Sequence, residues 1–436
     1  MSQTSLNIAF VATRIDGLDG VTLEVRKWAE VLARMGHRIH FIGGQMDTPP
    51  DRTVVIEEAS LDHQGVAELQ DRCFSRTDRP TDLSRKIEDL AGTIERRLSA
   101  AVDDFGIDLL IAENCLAIPM HVPLGVAVSR HLMRTRMPCI AHHHDFAWER
   151  PRFLLNCVQD YLQSAFPPSL DDVLHVCINT LQSRRFCRRT GCPAVVIPNV
   201  MDFAAGPPPA DETSKSFRES FGLDADRSLL LQPTRVVTRK NIEAAVEVAG
   251  RLGRERVQLF ISHEEPGEKS DYKDRITEEA DRRNVDLTLA DGRVSENRSK
   301  NEQGRVVFRL SDAYHAADFV TFPSDYEGFG NAFLESVLHR RPLLAQRFEI
   351  CRTDIEPYGF ELVTFDDYPT AETVDAVGSL LSDEDRVEEA TDRNYRIAEK
   401  YLSFSRLEAD FRAMLRDPGP LFRYPRRRRK DGTPPP

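Results

Sequence analysis

Residues 319–342 constrain the fold more than any other part of the sequence. The first of them, Phe-Val-Thr-Phe-Pro, predict a short buried strand, and a turn with two glycines follows. Beyond Asn331, apolar residues recur at helical spacing, cations gather where a helix C-terminus favours them, and Pro342 ends the helix. A strand, a glycine turn and a helix in this order place the amides of residues 328–331 where they suit an anionic group.

Two glutamates accompany this turn. Glu327 lies within it, and Glu335 lies roughly one helical turn further along. Two acids beside an anion site suit a ligand that carries hydroxyls next to a phosphate, as a nucleotide sugar does. A surface helix with solvated acids is the alternative for this segment taken alone.

Length and composition exclude several classes of protein. The 436 residues are enough for two domains, and 41% hydrophobic with 29% charged residues is ordinary for a globular protein. A net charge of −12 argues against nucleic-acid partners. No apolar run approaches the ~18 residues of a membrane span, and the N-terminus lacks the features of a signal peptide. We therefore expect a cytoplasmic protein without integral membrane contact.

The first half of the chain alternates short apolar strands with helices. Strands are expected at 7–11, 38–42, 108–112, 139–141, 174–178 and 195–197. This alternation predicts a parallel, doubly wound α/β sheet.

The loop 14–20 lies between the first strand and an amphipathic helix. Gly17 and Gly20, with the cation of Arg14 and free amides at the helix start, favour binding of an anion. The Gly-x-Gly-x-x-Gly pattern is missing, and the second strand ends in two glycines rather than an acid, which counts against an NAD enzyme. A plain turn, with glycines for positive φ, is the alternative.

A second series of strands and helices begins at 228–232, after a Pro- and Ser-bearing stretch at 206–216 that predicts an interdomain linker. Its first loop carries Arg235 and Lys240, two cations that can clamp a diphosphate and stabilise charge as it leaves. A solvated cationic loop is the alternative. Strands at 257–261, 285–289, 306–308 and 319–322 are expected to continue the sheet, and 387–415 predicts two helices.

Residues 141–150, Ala-His-His-His-Asp-Phe-Ala-Trp-Glu-Arg, begin where a buried strand ends, the usual place for ligand contacts in an open α/β sheet. Three adjacent histidines suggest a metal. Adjacent residues project in different directions, however, and neither these histidines nor the eight scattered cysteines have the spacing of metal ligands. We therefore expect no metal.

The segment 325–335, Asp-Tyr-Glu-Gly-Phe-Gly-Asn-Ala-Phe-Leu-Glu, resembles the paired-glutamate signature of glycosyltransferase family 4. The segment 197–202, Ile-Pro-Asn-Val-Met-Asp, is similar to another block of that family, with Val200 and Met201 in place of Gly-Val. The resemblance implies a retaining enzyme of the GT-B fold, with two Rossmann-like doubly wound domains and an interdomain cleft.

The resemblance also implies roles for individual residues. In that family the first Glu contacts hydroxyls of the donor sugar and the second contacts the nucleotide ribose, which gives these roles to Glu327 and Glu335. An Arg and a Lys hold the diphosphate, and Arg235 and Lys240 match them, with Lys240 the better match than Arg239.

Family 4 enzymes often carry one histidine near the donor sugar, at the end of the strand that corresponds to the one predicted here at 139–141. His144 is the first candidate and His143 the second. Blocks at 141–150, 312–314, 321–324, 328–336 and 353–357 resemble the branch that contains the mannosylglucosylglycerate synthases. That branch implies a nucleotide-activated mannose and a glucosylglycerate-type acceptor, sometimes phosphorylated.

Together these observations predict a retaining hexosyltransferase. It would move mannose or glucose from a donor of the GDP-mannose or UDP-glucose type to a small anionic acceptor such as a glucosylglycerate or its phosphate, without a required metal or other cofactor. Two alternatives stay open: a nucleotide-sugar 2-epimerase on the same fold, which would release a free sugar without an acceptor, and a non-catalytic protein that binds a sugar or a partner.

The predicted site residues fall into three groups. The catalytic group is Arg235, Lys240, Glu327 and His144; the donor-binding group is Arg235, Lys240, Gly328, Phe329, Gly330, Asn331 and Glu335; and the acceptor-binding group is Arg14, Gly17, Gly20, Glu113 and Asp145.

The predicted domains are an acceptor-side domain at 1–203, joined by a returning helix at 403–416, and a nucleotide-sugar domain at 204–402. A basic, Pro-rich tail at 417–436 follows. Its run of cations at 426–430 suggests weak contact with an anionic surface, with simple solvation as the alternative. The oligomeric state is left open.

Overall fold

The computed structural model describes residues 5–17, 19–263 and 271–416. The basic tail lies outside these residues. The chain folds into two compact units: the first holds the described residues up to Pro198 and those from Leu407 on, and the second holds Asn199–Arg406. The segment 206–216, expected to be a linker, is part of the second unit.

In its described residues, the first unit contains a parallel sheet and seven complete α-helices. Its strands are β1 (Asn7–Ile15), β2 (Arg38–Met46), β3 (Thr53–Val55), β4 (Leu109–Glu113), β5 (Cys139–His143), β6 (Val173–Cys177) and β7 (Ala194–Val196). Its helices are α1 (Gly20–Arg34), α2 (Gln64–Cys73), α3 (Leu83–Phe105), α4 (Val122–Thr135), α5 (Pro151–Leu154), α6 (Gln159–Ala165) and α7 (Thr180–Thr190). The sheet order is β3-β2-β1-β4-β5-β6-β7, and every neighbouring pair is parallel.

The core of the first unit lies along the middle of this sheet. β4, β5 and β6 are buried over their whole length, as expected of parallel strands covered on both faces. α3 and α4 supply apolar side chains to the core, among them Ile94, Leu98 and Leu132. At the carboxyl ends of β4 and β5 the buried residues change from apolar to polar, and the predicted acceptor side begins there.

The second unit contains the remaining elements. Its strands are β8 (Ser228–Arg235), β9 (Val257–His263), β10 (Leu287–Leu289), β11 (Val294–Ser295), β12 (Ser299–Lys300), β13 (Val306–Arg309), β14 (Phe319–Phe322), β15 (Leu343–Gln346) and β16 (Val363–Phe365). Its helices are α8 (Glu212–Lys215), α9 (Phe217–Ser220), α10 (Ile242–Leu252), α11 (Asp271–Arg282), α12 (Leu310–Ala316), α13 (Asn331–Leu338), α14 (Ala371–Leu380) and α15 (Glu384–Tyr401).

The main sheet of the second unit is parallel and has the order β10-β9-β8-β14-β15-β16. The sequence prediction that residues 306–308 continue this sheet was wrong. β13 instead lies between β11 and β12 in a separate three-stranded sheet. Both of these short strands precede it in the chain.

The last helix, α16 (Phe404–Arg416), crosses the boundary between the units at Arg406 and Leu407. Phe411, on the part that belongs to the first unit, is fully buried and packs edge-on against Trp28 of α1, with 4.9 Å between ring centroids. Among the described residues, no helix combines the length and apolar character needed to cross a membrane.

Candidate active site

The turn between β14 and α13 requires glycine at its last position. Gly330 has a φ of +108°, in the region that other residues rarely adopt. A Cβ on Gly330 would lie 2.7 Å from Cζ of Phe322, at the end of the strand that leads into the turn. Within the described chain no side chain caps the start of α13. The helix therefore begins directly after this turn, with the positive end of its dipole uncovered by a side-chain cap.

Glu327, in this turn, is held by two cations from the loop after β8. Its Oε1 accepts from Nζ of Lys240, and its Oε2 lies 3.1 Å from Nη1 of Arg239. The carbonyl of Arg239 accepts from the amide of Asp325 at 3.0 Å, and its guanidinium donates to the carbonyl of Tyr326 at 3.2 Å. β8 and β14 are neighbouring parallel strands, so their carboxyl ends bring the cationic loop and the acidic turn together.

Lys240 and Glu327 form a buried ion pair, each residue being 8% exposed. Burial lowers the pKa of Lys240, and the charge of Glu327 offsets only part of that effect. Burial acts to raise the pKa of Glu327, but the charges of Lys240 and Arg239 outweigh it, and the net pKa shift is downward. Each charge in this pair is therefore stabilised by the other.

Arg235 ends β8 at the surface, in register with His263 at the end of β9. Burial, together with the positive charges of Arg235 and Lys240, lowers the pKa of His263 to about 4. The ring is therefore neutral at pH 7 and adjoins two cations. His263 was not predicted as a site residue, because a lone histidine carries no functional signal until the strand order places β9 beside β8.

Glu335 lies on α13 and accepts a hydrogen bond at 3.0 Å from the hydroxyl of Tyr314 on α12. Tyr314 is fully buried and stacks on His339, with 4.6 Å between centroids. Burial and the charge of Glu335 raise the pKa of Tyr314 well above its usual value, so it acts as a hydrogen-bond donor. Sequence analysis noted the block that contains Tyr314 but assigned it no contact.

The other predicted donor-side residues lie in the β14–α13 turn. Phe329 is 2% exposed, so its side chain belongs to the core and only its backbone is available to a ligand. The side-chain oxygen of Asn331 accepts from Nδ2 of Asn199 at 3.0 Å, which fixes the first residue of α13.

In the first unit, the start of α1 corrects a premise of the sequence analysis. The carboxylate of Asp19 accepts from the amides of Val21 and Thr22 at 3.0 and 3.1 Å. Arg14 pairs with the same carboxylate at 3.0 Å. Two of the helix-start amides expected to be free for an anion are thus already satisfied, because the N-cap residue supplies its own negative charge.

Two of the predicted acceptor-side residues, Arg14 and Glu113, line a small cavity of about 100 Å³ beside this loop. Gly17 has a φ of +78° and open space where a side chain would lie, so the turn itself calls for glycine there. Gly20 is the first residue of α1.

Glu113 ends β4, and two histidines bind its carboxylate. The side chain of Glu113 is fully buried. Nδ1 of His142 lies 3.0 Å from its Oε1, and Nε2 of His144 lies 2.6 Å from the same oxygen. Burial acts to raise the pKa of Glu113, but the two histidines outweigh it and lower this pKa to about 2. Glu113 was predicted to bind the acceptor, whereas the structure shows its carboxylate occupied by the protein.

His143 faces the opposite side of the sheet from His142 and His144, as alternation along a strand requires. It is fully buried, and its ring packs near Phe146, Phe186 and His175. Burial lowers the pKa of His143 well below its usual value. Of the two histidines considered, only His144 is therefore placed near the other predicted acceptor-side residues.

Asp145 follows His144 and is also engaged. Its Oδ1 accepts from Nδ2 of Asn114 at 3.0 Å, and its Oδ2 accepts from Nε of Arg150 at 2.6 Å. These contacts order the loop after β5.

Glu113, His142 and His144 have ligating atoms within 4.8 Å of one another, a spacing that could accommodate a metal ion. The contact between His144 and Glu113 is a hydrogen bond, however, because two lone pairs at 2.6 Å would repel without a proton between them. In the structure these three side chains are therefore joined by hydrogen bonds, and the absence of a metal stays a prediction.

The sequence matches no family model. It is 29% identical over 440 residues to a mannosylglucosylglycerate synthase of Thermotoga maritima, covering 92% of this chain and 98% of the relative. It is likewise 29% identical to the Petrotoga mobilis enzyme of the same name, covering 82% and 86%. A mannosylglucosyl-3-phosphoglycerate synthase of Petrotoga mobilis is 22% identical over 51% of this chain and 44% of the relative.

Solved structures share the fold over nearly the whole chain. Sucrose-phosphate synthase of Thermosynechococcus elongatus superposes with a TM-score of 0.64 at 16% identity, covering 94% of this chain and 98% of that one. HepE of Anabaena in complex with UDP and glucose gives a TM-score of 0.60 at 14% identity, covering 94% and 100%.

The fold and the paired acidic and basic residues thus define a glycosyltransferase of the GT-B fold, as the sequence predicted. Within that class, the chain is similar to the mannosylglucosylglycerate synthases over almost their full length. Membership of family 4 stays a prediction.

Proposed function

We propose that the protein transfers mannose from a nucleotide-activated donor to a glucosylglycerate, with retention of anomeric configuration. The observation that carries this proposal is the similarity to mannosylglucosylglycerate synthases across 98% of the Thermotoga maritima relative. The match covers 92% of this chain, so it extends into both units.

The unphosphorylated acceptor is the better supported of the two considered. The relative named for a phosphorylated product matches only 44% of its own length, at 22% identity. The two relatives named for the unphosphorylated product match 98% and 86% of theirs.

The second unit supplies residues suited to the donor. Arg235 and Lys240 are cations that can bind the diphosphate and stabilise its charge as it leaves. Glu327 and Glu335 offer carboxylates to sugar and ribose hydroxyls, with Tyr314 holding the second of them. His263 adjoins the cations in a neutral state and leaves their charge available.

We infer a same-face transfer without a covalent enzyme intermediate. The bond between the sugar and the diphosphate breaks, and the acceptor hydroxyl bonds to the anomeric carbon on the same face. The departing diphosphate oxygen takes the proton of that hydroxyl while Arg235 and Lys240 hold its charge. The proposal includes no metal and no other cofactor.

Arg14 remains the proposed contact for the glycerate carboxylate. Its partner in the structure is Asp19, which also caps α1. An acceptor carboxylate would have to share Arg14 with that aspartate, so we expect this contact to contribute selectivity more than affinity.

A mass-spectrometric screen of the purified protein tests the proposal. GDP-mannose and UDP-glucose are each incubated with glucosylglycerate, its phosphate, glycerate and glucose. We expect a product one hexose heavier with GDP-mannose and glucosylglycerate, with an α-linkage by NMR from the α-linked donor. Absence of product with every pair, or an inverted linkage, would contradict the proposal.

Incubation with donor alone separates the two alternative functions. A nucleotide-sugar 2-epimerase would release free sugar without an acceptor. A non-catalytic protein would leave every donor unchanged, whether or not it binds.

Variants connect the activity to the proposed donor site. Arg235→Ala and Lys240→Ala should each lower turnover by at least ~100-fold, the scale seen when a charge-stabilising group is removed. Lys300→Ala removes an exposed lysine of the same unit and serves as the control. Near-normal turnover in either of the first two variants would remove that residue from the mechanism.

A further inference from the structure

His144 is held in one orientation by contacts at both ends of its backbone and at its ring. Its amide donates to Oδ1 of Asn114 at 3.0 Å, and its carbonyl accepts from Nε2 of Gln182 at 2.7 Å. Nε2 of the ring is bound to Glu113. These contacts come from the end of β4 and from α7, so two separate elements hold the backbone of this residue, and Glu113 holds its ring.

The surroundings of the His144 ring are acidic. Glu113 on β4, Glu24 on α1 and Asp145 in the loop after β5 all act on it with negative charge. The opposing groups are His142 on β5, whose pKa burial lowers and whose ring stacks on Trp28 at 3.9 Å, and the deeply buried His143. Both of these rings are neutral at pH 7 and add no positive charge. The negative charges of the three acids therefore favour a proton on His144.

The second ring nitrogen of His144 is the part of this cluster available to a ligand. Nε2 is the ring atom that contacts Glu113, and the side chain of His144 is 10% exposed whereas that of Glu113 is fully buried. Among the described residues, the hydrogen bonds of the ring involve only Nε2. With a proton on each nitrogen, Nδ1 becomes a charged donor, and such donors make stronger hydrogen bonds than neutral ones.

We propose that Glu113 is a positioning residue that fixes the ring of His144 and retains its proton, so that Nδ1 presents a charged N–H to an oxygen of the substrate. This role replaces the predicted contact between Glu113 and the acceptor. Only the identity of the oxygen rests on the proposed function, as it would be a hydroxyl or an anionic oxygen of a substrate of the transferase.

The proposal gives a pH dependence of definite sign. Burial alone would lower the pKa of His144, but Glu113 and the other acids raise it above its usual 6.5. The raised pKa favours the protonated ring, and activity that depends on it falls as the pH rises through that pKa. In Glu113→Gln the burial remains and the carboxylate charge is lost, so this alkaline fall should move to lower pH by roughly 1–3 units.

The first test is NMR of the free protein labelled at histidine, with the signal of His144 assigned by its loss in His144→Gln. We expect an imidazolium at pH 7 in the natural protein and a neutral ring in Glu113→Gln. Glu113→Asp should give an intermediate titration. Asp172→Asn, a change at a buried carboxylate elsewhere in the first unit, is the control and should leave the signal unchanged.

A neutral His144 at pH 7 in the natural protein would overturn the proposal, and this titration is recorded on the natural protein, with His144→Gln needed only to assign the signal. An unchanged titration in folded Glu113→Gln would overturn it equally. Both readouts are independent of transferase activity, so they decide this inference even if the proposed function fails.

The second test is the pH profile of kcat and KM in the transferase assay. The alkaline fall should appear in kcat or KM of the natural protein, move to lower pH in Glu113→Gln, and be partly restored in Glu113→Asp. A purely structural role would lower activity equally at all pH values and would overturn the proposal.

A final measurement tests whether a metal binds at Glu113, His142 and His144. Addition of Co²⁺ to the free protein should give no visible absorption band and no change in the His144 titration. A band that is lost in His142→Gln would identify a metal site and overturn the proposed role of Glu113.

Discussion

At the scale of single residues, several charged groups of the candidate site are bound to other side chains of the protein. Lys240 pairs with Glu327, and Arg14 pairs with the carboxylate that caps α1. Glu113 is held by two histidines. A ligand that uses these groups must replace existing partners, so its affinity reports the difference between old and new contacts.

The two glutamates of the β14–α13 segment should respond differently to the same change. Glu327→Gln should impair sugar transfer but leave binding of a bare nucleoside diphosphate nearly unchanged. Glu335→Gln should weaken binding of that nucleotide, because the proposed ribose contact loses its negative charge. Calorimetric titration with GDP and UDP, alongside turnover, separates the two effects, and the reverse pattern would mean that the roles are exchanged.

Tyr314 should matter to nucleotide binding although it contacts Glu335 rather than the ligand. Tyr314→Phe keeps the buried ring and removes the hydroxyl that orients the carboxylate at 3.0 Å. We expect nucleoside diphosphate affinity to fall by roughly 1.5–3 kcal/mol, the range for a hydrogen bond to a charged group. Tyr272→Phe is the matched control, because Tyr272 donates to Glu243 in the same unit. An equal loss in both variants would point to a general effect on folding.

Most of these residues could be singled out from the sequence, but few of their partners could. Glu327 and Lys240 carry a recognisable spacing, so each was identified from its own surroundings. Their direct contact depends on β8 lying beside β14, which the sequence does not state. The pairing of Glu113 with His144 could not be predicted either, because this pairing depends on the register between β4 and β5. The cap by Asp19 was overlooked, although an aspartate just before a predicted helix is a common N-terminal signal.

At the scale of elements, the β14–α13 segment is the best example of agreement between sequence and structure. The predicted strand at 319–322 coincides with β14, and the predicted helix begins at Asn331 as α13 does. Strong apolar periodicity and flanking glycines fixed both boundaries. The missed strands β3, β15 and β16 have three or four residues each, too few for a periodic pattern to stand out.

Gly330→Ala tests how tightly this segment is built. The new Cβ would face a steric cost at positive φ of roughly 1–2 kcal/mol. It would also approach Phe322, which adds roughly 1–3 kcal/mol. The prediction is a matching fall in the free energy of unfolding of the second unit, measured by urea titration followed by circular dichroism.

Gly304→Ala is the matched control for that measurement. Gly304 has a φ of +75° and open space around the position of a Cβ, so only the backbone cost applies. Both tryptophans, Trp28 and Trp148, lie in the first unit, and their fluorescence should therefore report a smaller change in either variant. An effect of Gly330→Ala no larger than that of Gly304→Ala would show that the contact with Phe322 relaxes at little cost.

At the scale of the whole molecule, both units contain histidines that are buried in the neutral state. Burial lowers the pKa of His121 and His175 in the first unit to about 4. It does the same for His263 and His339 in the second. Unfolding would return each ring to an ordinary pKa near 6.5, so both units share one response to acid.

We expect the free energy of unfolding to fall as the pH is lowered from about 6.5 to 4. In this window the unfolded chain binds protons that the folded chain does not, and below pH 4 the histidine contribution levels off. A shift from 6.5 to about 4 corresponds to roughly 3 kcal/mol for each such group. Urea titrations between pH 7 and 4 should show the fall, and His175→Gln should reduce it by about that amount.

Glu113 contributes in a separate window. Its pKa is lowered to about 2 in the folded protein, so its stabilisation is present above pH ~4.5 and is lost between pH ~4.5 and 2. A stability curve that stayed flat from pH 6.5 to 4 and fell only below it would contradict the contribution assigned to the histidines.

The ion pair between Lys240 and Glu327 bears on competition from simple salts. Inorganic phosphate or sulfate that binds Lys240 would separate this lysine from Glu327. The small anion would leave the buried carboxylate of Glu327 without that compensating charge. A nucleotide sugar, in the role proposed for it, presents an anion to the lysine and hydroxyls to the glutamate on one molecule. A donor site built in this way should resist inhibition by abundant small anions while remaining open to the larger ligand, because only the larger ligand satisfies both members of the pair.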